Sequence, residues 1–253
     1  MATTVAPRPT AAGQGVHGVQ VYEGVLELMG ELFFATLEPG NRYVTKPLIL
    51  NTALYYALGY ARGSYVNWAS GRRSKRQQPT YLEDTAGLAD EIYVSVARPV
   101  TPLRFTTENA NARGDEYVQR NQPAKQMNSP TGKIGTRKQI QPGAKFRFFV
   151  LAFDGAVPDL PTYVRVGKKR TKALIKWNLL PVRRHTGRFM MNHPVLVDDL
   201  AHMPIGDIRF SRMVPFDVIE HGRFEGAYYA FTCTDGEKVC LPADLQFLRR
   251  WRA

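Results

Sequence analysis

Cysteine, histidine and long apolar runs are all scarce in this 253-residue chain, and each scarcity closes off a class of function. Cys233 and Cys240 are the only cysteines. They flank T-D-G-E, a hairpin signal at Asp235-Gly236. A two-residue turn there sets Cys233 opposite Lys238 and Cys240 opposite Phe231, with both sulfurs on one face. Two buried thiols are expected. Zinc is not, because no second Cys/His pair stands at metal spacing. No other cofactor is expected either. No run approaches the ~20 apolar residues of a membrane-spanning helix, so no membrane partner is expected. The opening MATTVAPRPTAAGQGVHG lacks the apolar core of a signal peptide and reads as a disordered lead over 1–18, with 19–253 as one domain. A cytoplasmic protein is the expectation.

Catalytic signatures are missing as well. Gly13, Gly15 and Gly18 match G-x-G-x-x-G, but no strand precedes them and no helix follows. Walker A, H-E-x-x-H and G-x-S-x-G patterns are absent. Asp198, Asp199 and Asp207 have no second carboxylate cluster to form a two-metal site. The five histidines are His17, His185, His193, His202 and His221. His185 lies beside Arg183, Arg184 and Arg188. Metal-free RNA cleavage needs a base and an acid, and no spacing fixes a catalytic partner for it. Contact with phosphate or water is the expected role, and the chain is not expected to be an enzyme.

Acidic residues are missing in three long stretches, and bases fill them. The chain carries a formal charge of +12, from 34 Lys+Arg against 22 Asp+Glu. Pro39–Leu82 holds Arg42, Lys46, Arg62, Arg72, Arg73, Lys75 and Arg76. Tyr117–Phe153 holds Arg120, Lys125, Lys133, Arg137, Lys138, Lys145 and Arg147. Leu160–Val197 holds Arg165, Lys168, Lys169, Arg170, Lys172, Lys176, Arg183, Arg184 and Arg188. A surface built for solubility intersperses both signs. Segregation on this pattern points to an extended phosphate-tracking surface. Gly167–Lys172 is the densest cationic loop, and its glycine would let the backbone approach a phosphate. Aromatics interleave with these cations: Tyr43, Tyr55, Tyr56, Tyr65, Trp68, Phe146, Phe148, Tyr163 and Trp177. Exposed members of such a set stack single-stranded bases.

At 44% hydrophobic the chain can bury a substantial core. Val19–Met29 reads as an opening strand that Glu31–Ala35 extends or follows. Pro47 opens a helix to Tyr60, with one apolar face and a polar face carrying Asn51, Tyr55 and Arg62. Arg62–Thr80 reads as a loop and Tyr81–Leu88 as a helical turn. Ile92, Val94 and Val96 alternate as a half-buried strand. Thr101–Ala144 holds few aliphatic residues and reads as a long functional insertion. Lys145–Phe153 is a strongly apolar strand. Thr162–Val166 and Ala173–Trp177 bracket the basic loop as a hairpin or a strand–loop–helix. Pro194–Ala201 reads as a short helix. Ile208–Phe210, Val214–Glu220, Ala227–Cys233 and Lys238–Leu241 read as antiparallel strands, with a short helix from Ala243 to the basic tail. The order implies an α+β sandwich, helices on one face of an antiparallel sheet.

E-L-F-F-A-T from Glu31, G-x-x-Y-x-T from Gly40 and N-x-A-L-x-Y-A-L-G from Asn51 resemble the start of the Cas-five-type subunit, the Csc-one family, of type I-D CRISPR Cascade effector complexes. Tyr163-Val-Arg-Val-Gly-Lys168 with Lys172-Ala173 resembles that family's R-x-G-K…K-A segment. The resemblance runs from about Val25 to the C-terminal hairpin. It implies a ferredoxin-like (RAMP-type) core, a hairpin thumb at 101–144 and a β-rich C-terminal part. It also implies a non-catalytic RNA-binding role in antiviral defence: capping the 5′ handle of the CRISPR RNA and joining the large subunit to the backbone subunit. Target DNA near the protospacer-flanking motif is a further implied partner. The candidate RNA-binding residues are Arg42, Asn51, Tyr55, Arg72, Arg73, Lys75, Arg76, Arg120, Lys125, Lys133, Arg137, Lys138, Arg165, Lys168, Lys169, Arg170, Lys172, Arg183, Arg184 and His185. Two alternatives stay open: an endoribonuclease that processes precursor CRISPR RNA, and an RNA-binding protein outside CRISPR.

Overall fold

The computed structural model describes residues 18–37, 42–62, 80–88, 90–111 and 134–252. The elements in chain order are β1 (Val19–Leu28), β2 (Arg42–Val44), α1 (Asn51–Ala57), α2 (Tyr81–Asp84), β3 (Ile92–Val94), β4 (Arg98–Pro99), β5 (Phe105–Asn111), β6 (Ile134–Ile140), β7 (Lys145–Phe153), β8 (Tyr163–Val166), β9 (Thr171–Leu180), β10 (Val182–Met191), β11 (Val195–Leu196), β12 (Gly206–Ser211), β13 (Val218–Thr232) and β14 (Lys238–Pro242). Single 3₁₀ turns cover Val197–Asp199 and Arg249–Trp251. The described residues are mostly β, with two short helices of seven and four residues.

The first sheet runs β3-β7-β1-β9-β8, with β4 also on β7. Its centre is β1, antiparallel to β7 on one side and β9 on the other. KFRFFVLAF is buried from Phe146 to Ala152, on both faces. One face of the sheet packs under α1, which lies against both β3 and β8. The other face meets the second sheet, in which the long strand β13 pairs with β10, β11, β12 and β14. There Phe149 packs on Phe231 with ring centroids 4.8 Å apart. One continuous core spans both sheets. The chain passes from one to the other at Pro181, between β9 and β10.

An ion cluster closes the same junction. Arg147 Nε lies 2.8 Å from Glu23 Oε1, and both side chains are buried. That contact is ionic, not a well-aligned hydrogen bond. The guanidinium also donates to Asp235 at 2.5 Å and Glu237 at 2.7 Å, on the β13–β14 turn. The other Glu23 oxygen accepts from Thr234 Oγ1 at 2.8 Å.

Several elements differ from the sequence expectation. The helix is Asn51–Ala57, shorter than Pro47–Tyr60, because Ile49 bridges Ala97 and holds residues up to Leu50 extended. Glu31–Ala35 forms no strand; Leu32 makes one bridge to Ile140. β3 is buried on both faces rather than half-buried, being covered by α1 and the second sheet. Pro194–Ala201 is a two-residue strand and a 3₁₀ turn, not an α-helix. Val214–Glu220 and Ala227–Cys233 belong largely to one strand, β13. The last hairpin pairs Thr232 with Lys238 and Ala230 with Cys240. That is one residue out of the expected register, which places the two cysteines on opposite faces. Both are free thiols, and burial pushes Cys233 up to about 12.

The insertion at 101–144 contains the antiparallel pair β5–β6, with β2 parallel to β6 on its other side. Residues 112–133 lie outside the described set.

Candidate nucleic-acid interface

The β8–β9 hairpin presents the cationic loop. Tyr163 and Arg165 alternate outward with Val164 and Val166 inward. Lys168, Arg170 and Lys172 are exposed at the turn. The Lys172 ammonium sits 4.4 Å from the Tyr163 ring centroid, a cation–π contact on the surface. Gly167 has φ +80°, and a Cβ there would stand 2.8 Å from Leu32 Cδ1 and 3.0 Å from the Phe33 carbonyl oxygen. The close approach that this glycine permits is therefore to the protein's own chain, sealed by Lys168 N–H donating to Phe33 O at 2.9 Å. It is not an opening for phosphate.

Lys169 also departs from expectation. Its ammonium lies 3.2 Å from both Glu31 and Glu108 carboxylates. The Lys169 hydrogen bond and charge hold Glu108 below the usual carboxylate range. A segment without acids in sequence is thus met by acids from β5 and the β1 end. Lys169 ties the hairpin to the base of the β5–β6 arm. On that arm, Lys138 lies over Phe105 at 4.4 Å and Arg137 over Phe33 at 5.5 Å. Arg42 is exposed on β2, which pairs with β6 through Arg42 and Thr136. Arg42, Arg137, Lys138, Arg165, Lys168, Arg170 and Lys172 therefore gather around the hairpin and the arm base.

The second cationic group lies on β10, which the sequence pattern did not reveal as a strand. Arg183, Arg184, His185 and Arg188 are all exposed there. Arg188 pairs with Glu225 at 3.1 Å. β9 runs from the hairpin turn to β10 and exposes Lys172 and Lys176 on one side. Lys176 was no part of the candidate set. Among the described residues, Lys168, Arg170, Lys172, Lys176, Arg183 and Arg184 take part in no ion pair.

Asn51 and Tyr55 are corrections. Both are fully buried. Asn51 Nδ2 donates to Asp199 at 2.7 Å, and Tyr55 Oη donates to the Ile92 carbonyl at 2.8 Å. Helix α1 is enclosed on both sides, so these groups build the core and face no ligand. Phe146 and Phe148 are buried too, Tyr43, Tyr56 and Trp177 are half-buried, and Tyr163 is exposed. Arg72, Arg73, Lys75, Arg76, Arg120, Lys125 and Lys133, with Tyr65 and Trp68, lie outside the described residues.

The acids and the buried histidine, His193, sit apart. Asp199 is buried and accepts from Asn51, Tyr93 Oη at 2.9 Å and Leu248 N–H at 2.8 Å. Asp198 accepts from Trp251, and Asp207 pairs with Arg223. His193 is buried, with Nε2 3.0 Å from Ser95 Oγ and 2.8 Å from the Val96 carbonyl. Among the described residues no cluster of His, Cys, Asp and Glu could hold a metal ion. None of their helices is long and apolar enough to cross a membrane.

A family model described as type I-D CRISPR-associated protein Cas5/Csc1 matches residues 19–250. No curated protein matches the chain. Among solved structures, it is similar to a chain of a type III-B Cmr-beta assembly determined by cryo-electron microscopy with cognate target RNA and AMPPnP. The identity is 9%, over 81% of this chain and 86% of that one, with a TM-score of 0.42. It is also similar to a CRISPR protein from Archaeoglobus fulgidus at 14% identity, over 88% of this chain and 99% of that one, with a TM-score of 0.41.

Proposed function

The chain belongs to the type I-D CRISPR-associated Cas5/Csc1 family, and from that premise we propose that it is the non-catalytic RNA-binding subunit of a type I-D effector complex. In this reading it caps the 5′ handle of the CRISPR RNA and joins the large subunit to the backbone subunit. The first sheet serves as the ferredoxin-like core and the β5–β6 arm as the thumb. The observation that carries the RNA contact is the set of exposed cations Lys168, Arg170, Lys172, Lys176, Arg183 and Arg184, free of ion pairs among the described residues. Such a set matches the charge of a phosphate backbone, and binding would release counterions. The absence of chemistry is supported by how the acid–base groups are used. His193 and Asp199 are buried in hydrogen bonds to their own fold.

The test is a titration of the full chain with its repeat-derived RNA at increasing salt, run beside a cleavage assay without metal. A steep fall of affinity with salt and intact RNA are expected. Salt-independent or undetectable binding would overturn the RNA reading. Site-specific cleavage would overturn the non-catalytic one.

A further inference from the structure

The β10–β13 ribbon has a feature that its cations do not explain. His185 pairs with Tyr228 and Phe189 with Phe224, and between these pairs Gly187 faces Gly226. Side chains alternate along a strand, so all these positions share one side of the ribbon. Both glycines adopt positive φ, +143° and +144°, where L side chains rarely go. They leave a gap in the side-chain layer, where an added Cβ would meet nothing within 4 Å, and Tyr228 is the next residue on that side of β13. Its ring stacks on Phe189 with centroids 4.4 Å apart and an interplanar angle of 18°. It also stacks on His185 at 5.3 Å and 28°. Phe189 continues the column to Phe224 at 5.8 Å and 20°.

Phe189 and Phe224 are buried and Tyr228 is half-buried, whereas His185 is exposed. Packing in the core explains the inner rings, Phe189 and Phe224. Nothing in the packing asks for a ring at an exposed position between Arg184 and Thr186. We propose that the open face of His185 is a stacking platform for one nucleobase of a single strand, with Arg183 on the adjoining phosphate. Arg183 is two residues along the same side of β10, about 7 Å away. The column is assembled before any ligand arrives, so little ordering is left to oppose stacking. Stacking on a ring face tolerates any base, which suits a strand whose sequence is read elsewhere. The proposal rests on the RNA-binding reading and adds the place and mode of one contact. RNA and single-stranded DNA share this chemistry.

The experiment uses the full chain and short single strands carrying 2-aminopurine at successive positions, as RNA and as DNA. Stacking quenches the fluorophore. The wild type should quench one position strongly. His185→Ala should abolish that quenching and weaken binding roughly five- to hundredfold. The salt slope should not change, because stacking releases no counterions. His185→Phe should keep both quenching and affinity, and Arg183→Ala should lower the slope by about 0.7. A loss on RNA alone, on DNA alone or on both supports the platform and names its strand. Steep salt-dependent binding that His185→Ala leaves untouched overturns the platform but spares the RNA reading. Absence of any binding by the wild type overturns both. His185→Phe failing as badly as His185→Ala overturns stacking in favour of a polar contact. Loss of subunit association with quenching intact overturns it in favour of a protein contact.

Discussion

Asp199 is a carboxyl with no exposure that takes hydrogen bonds from Asn51, Tyr93 and Leu248. Burial pushes it up to about 7 in spite of those donors. A carboxyl raised in the fold keeps its proton at pH values where the unfolded chain has released it. Its contribution to stability is then fully present below about pH 4, falls as pH rises towards 7, and is flat above. The loss over that window should be on the order of a few kcal/mol. Asp199→Asn should remove this part of the slope, since Asn51 can turn its unpartnered Oδ1 towards the new amide. Urea unfolding of both proteins between pH 4.5 and 8 measures the difference; parallel curves would show that Asp199 is ionised throughout. Arg147 tests the opposite case, a buried charge whose partners hold it. Arg147→Met leaves Glu23 buried and uncompensated, which should cost about 3–5 kcal/mol. Glu23→Gln with Arg147→Met should recover much of that, because the charge and its partner leave together. A double variant no more stable than the single one would place the cost in the missing packing of the arginine stem.

The β8–β9 hairpin separates cations that look alike in sequence. Lys168, Lys172 and Lys176 are exposed and outside any ion pair, whereas Lys169 is held between Glu31 and Glu108. Changing the first three to Ala should flatten the salt slope for single-stranded RNA by up to about 2, at roughly 0.7 for each phosphate no longer neutralised. Lys169→Ala should leave the slope unchanged and loosen the hairpin from the arm. An equal effect of Lys169→Ala would show that its acidic partners let go on binding. The hairpin was one of two readings of this segment, beside a strand–loop–helix, and β9 proves to be a strand. β1 was legible for its loose alternation and β7 for its apolar run. β10 was not: V-R-R-H-T-G-R-F-M-M carries its apolar residues only at the ends, since its middle is exposed on both sides. The column of rings was also hidden, because it depends on Gly187 meeting Gly226, a register that no local pattern encodes. Helix α1 misled for a related reason. Its polar residues Asn51 and Tyr55 looked like a wet face, yet they serve Asp199 and the edge of β3, partners far along the chain. The acid-free segments were real in sequence, but folding brought Glu31, Glu108 and Glu225 against them.

Met203, Ile205, Ile208, Phe210 and Val214 are exposed on and around β12. β12 departs from regular pairing with β13 at Arg209, and most of its residues are exposed. A lone subunit with this much apolar surface in one stretch should associate with itself or with other proteins. If the chain works within a larger complex, three consequences go together. Expressed alone, it should sediment as a concentration-dependent mixture. Co-expressed with the other subunits of its effector complex and a repeat array, it should purify at fixed stoichiometry, with an RNA of defined 5′ end. Ile208→Ser with Phe210→Ser should sharpen the isolated protein towards a monomer. That double variant should leave the RNA salt slope as it was, because the unpaired cations of the proposed RNA path lie on β8–β10, while Arg209 on β12 is paired with Glu220. Analytical ultracentrifugation and the same RNA titration measure both quantities on one sample. A wild-type protein that is monomeric at all concentrations and binds no RNA at low salt would remove the case for membership of any such assembly. A double variant that loses RNA binding while gaining solubility would show that β12 lies on the RNA path.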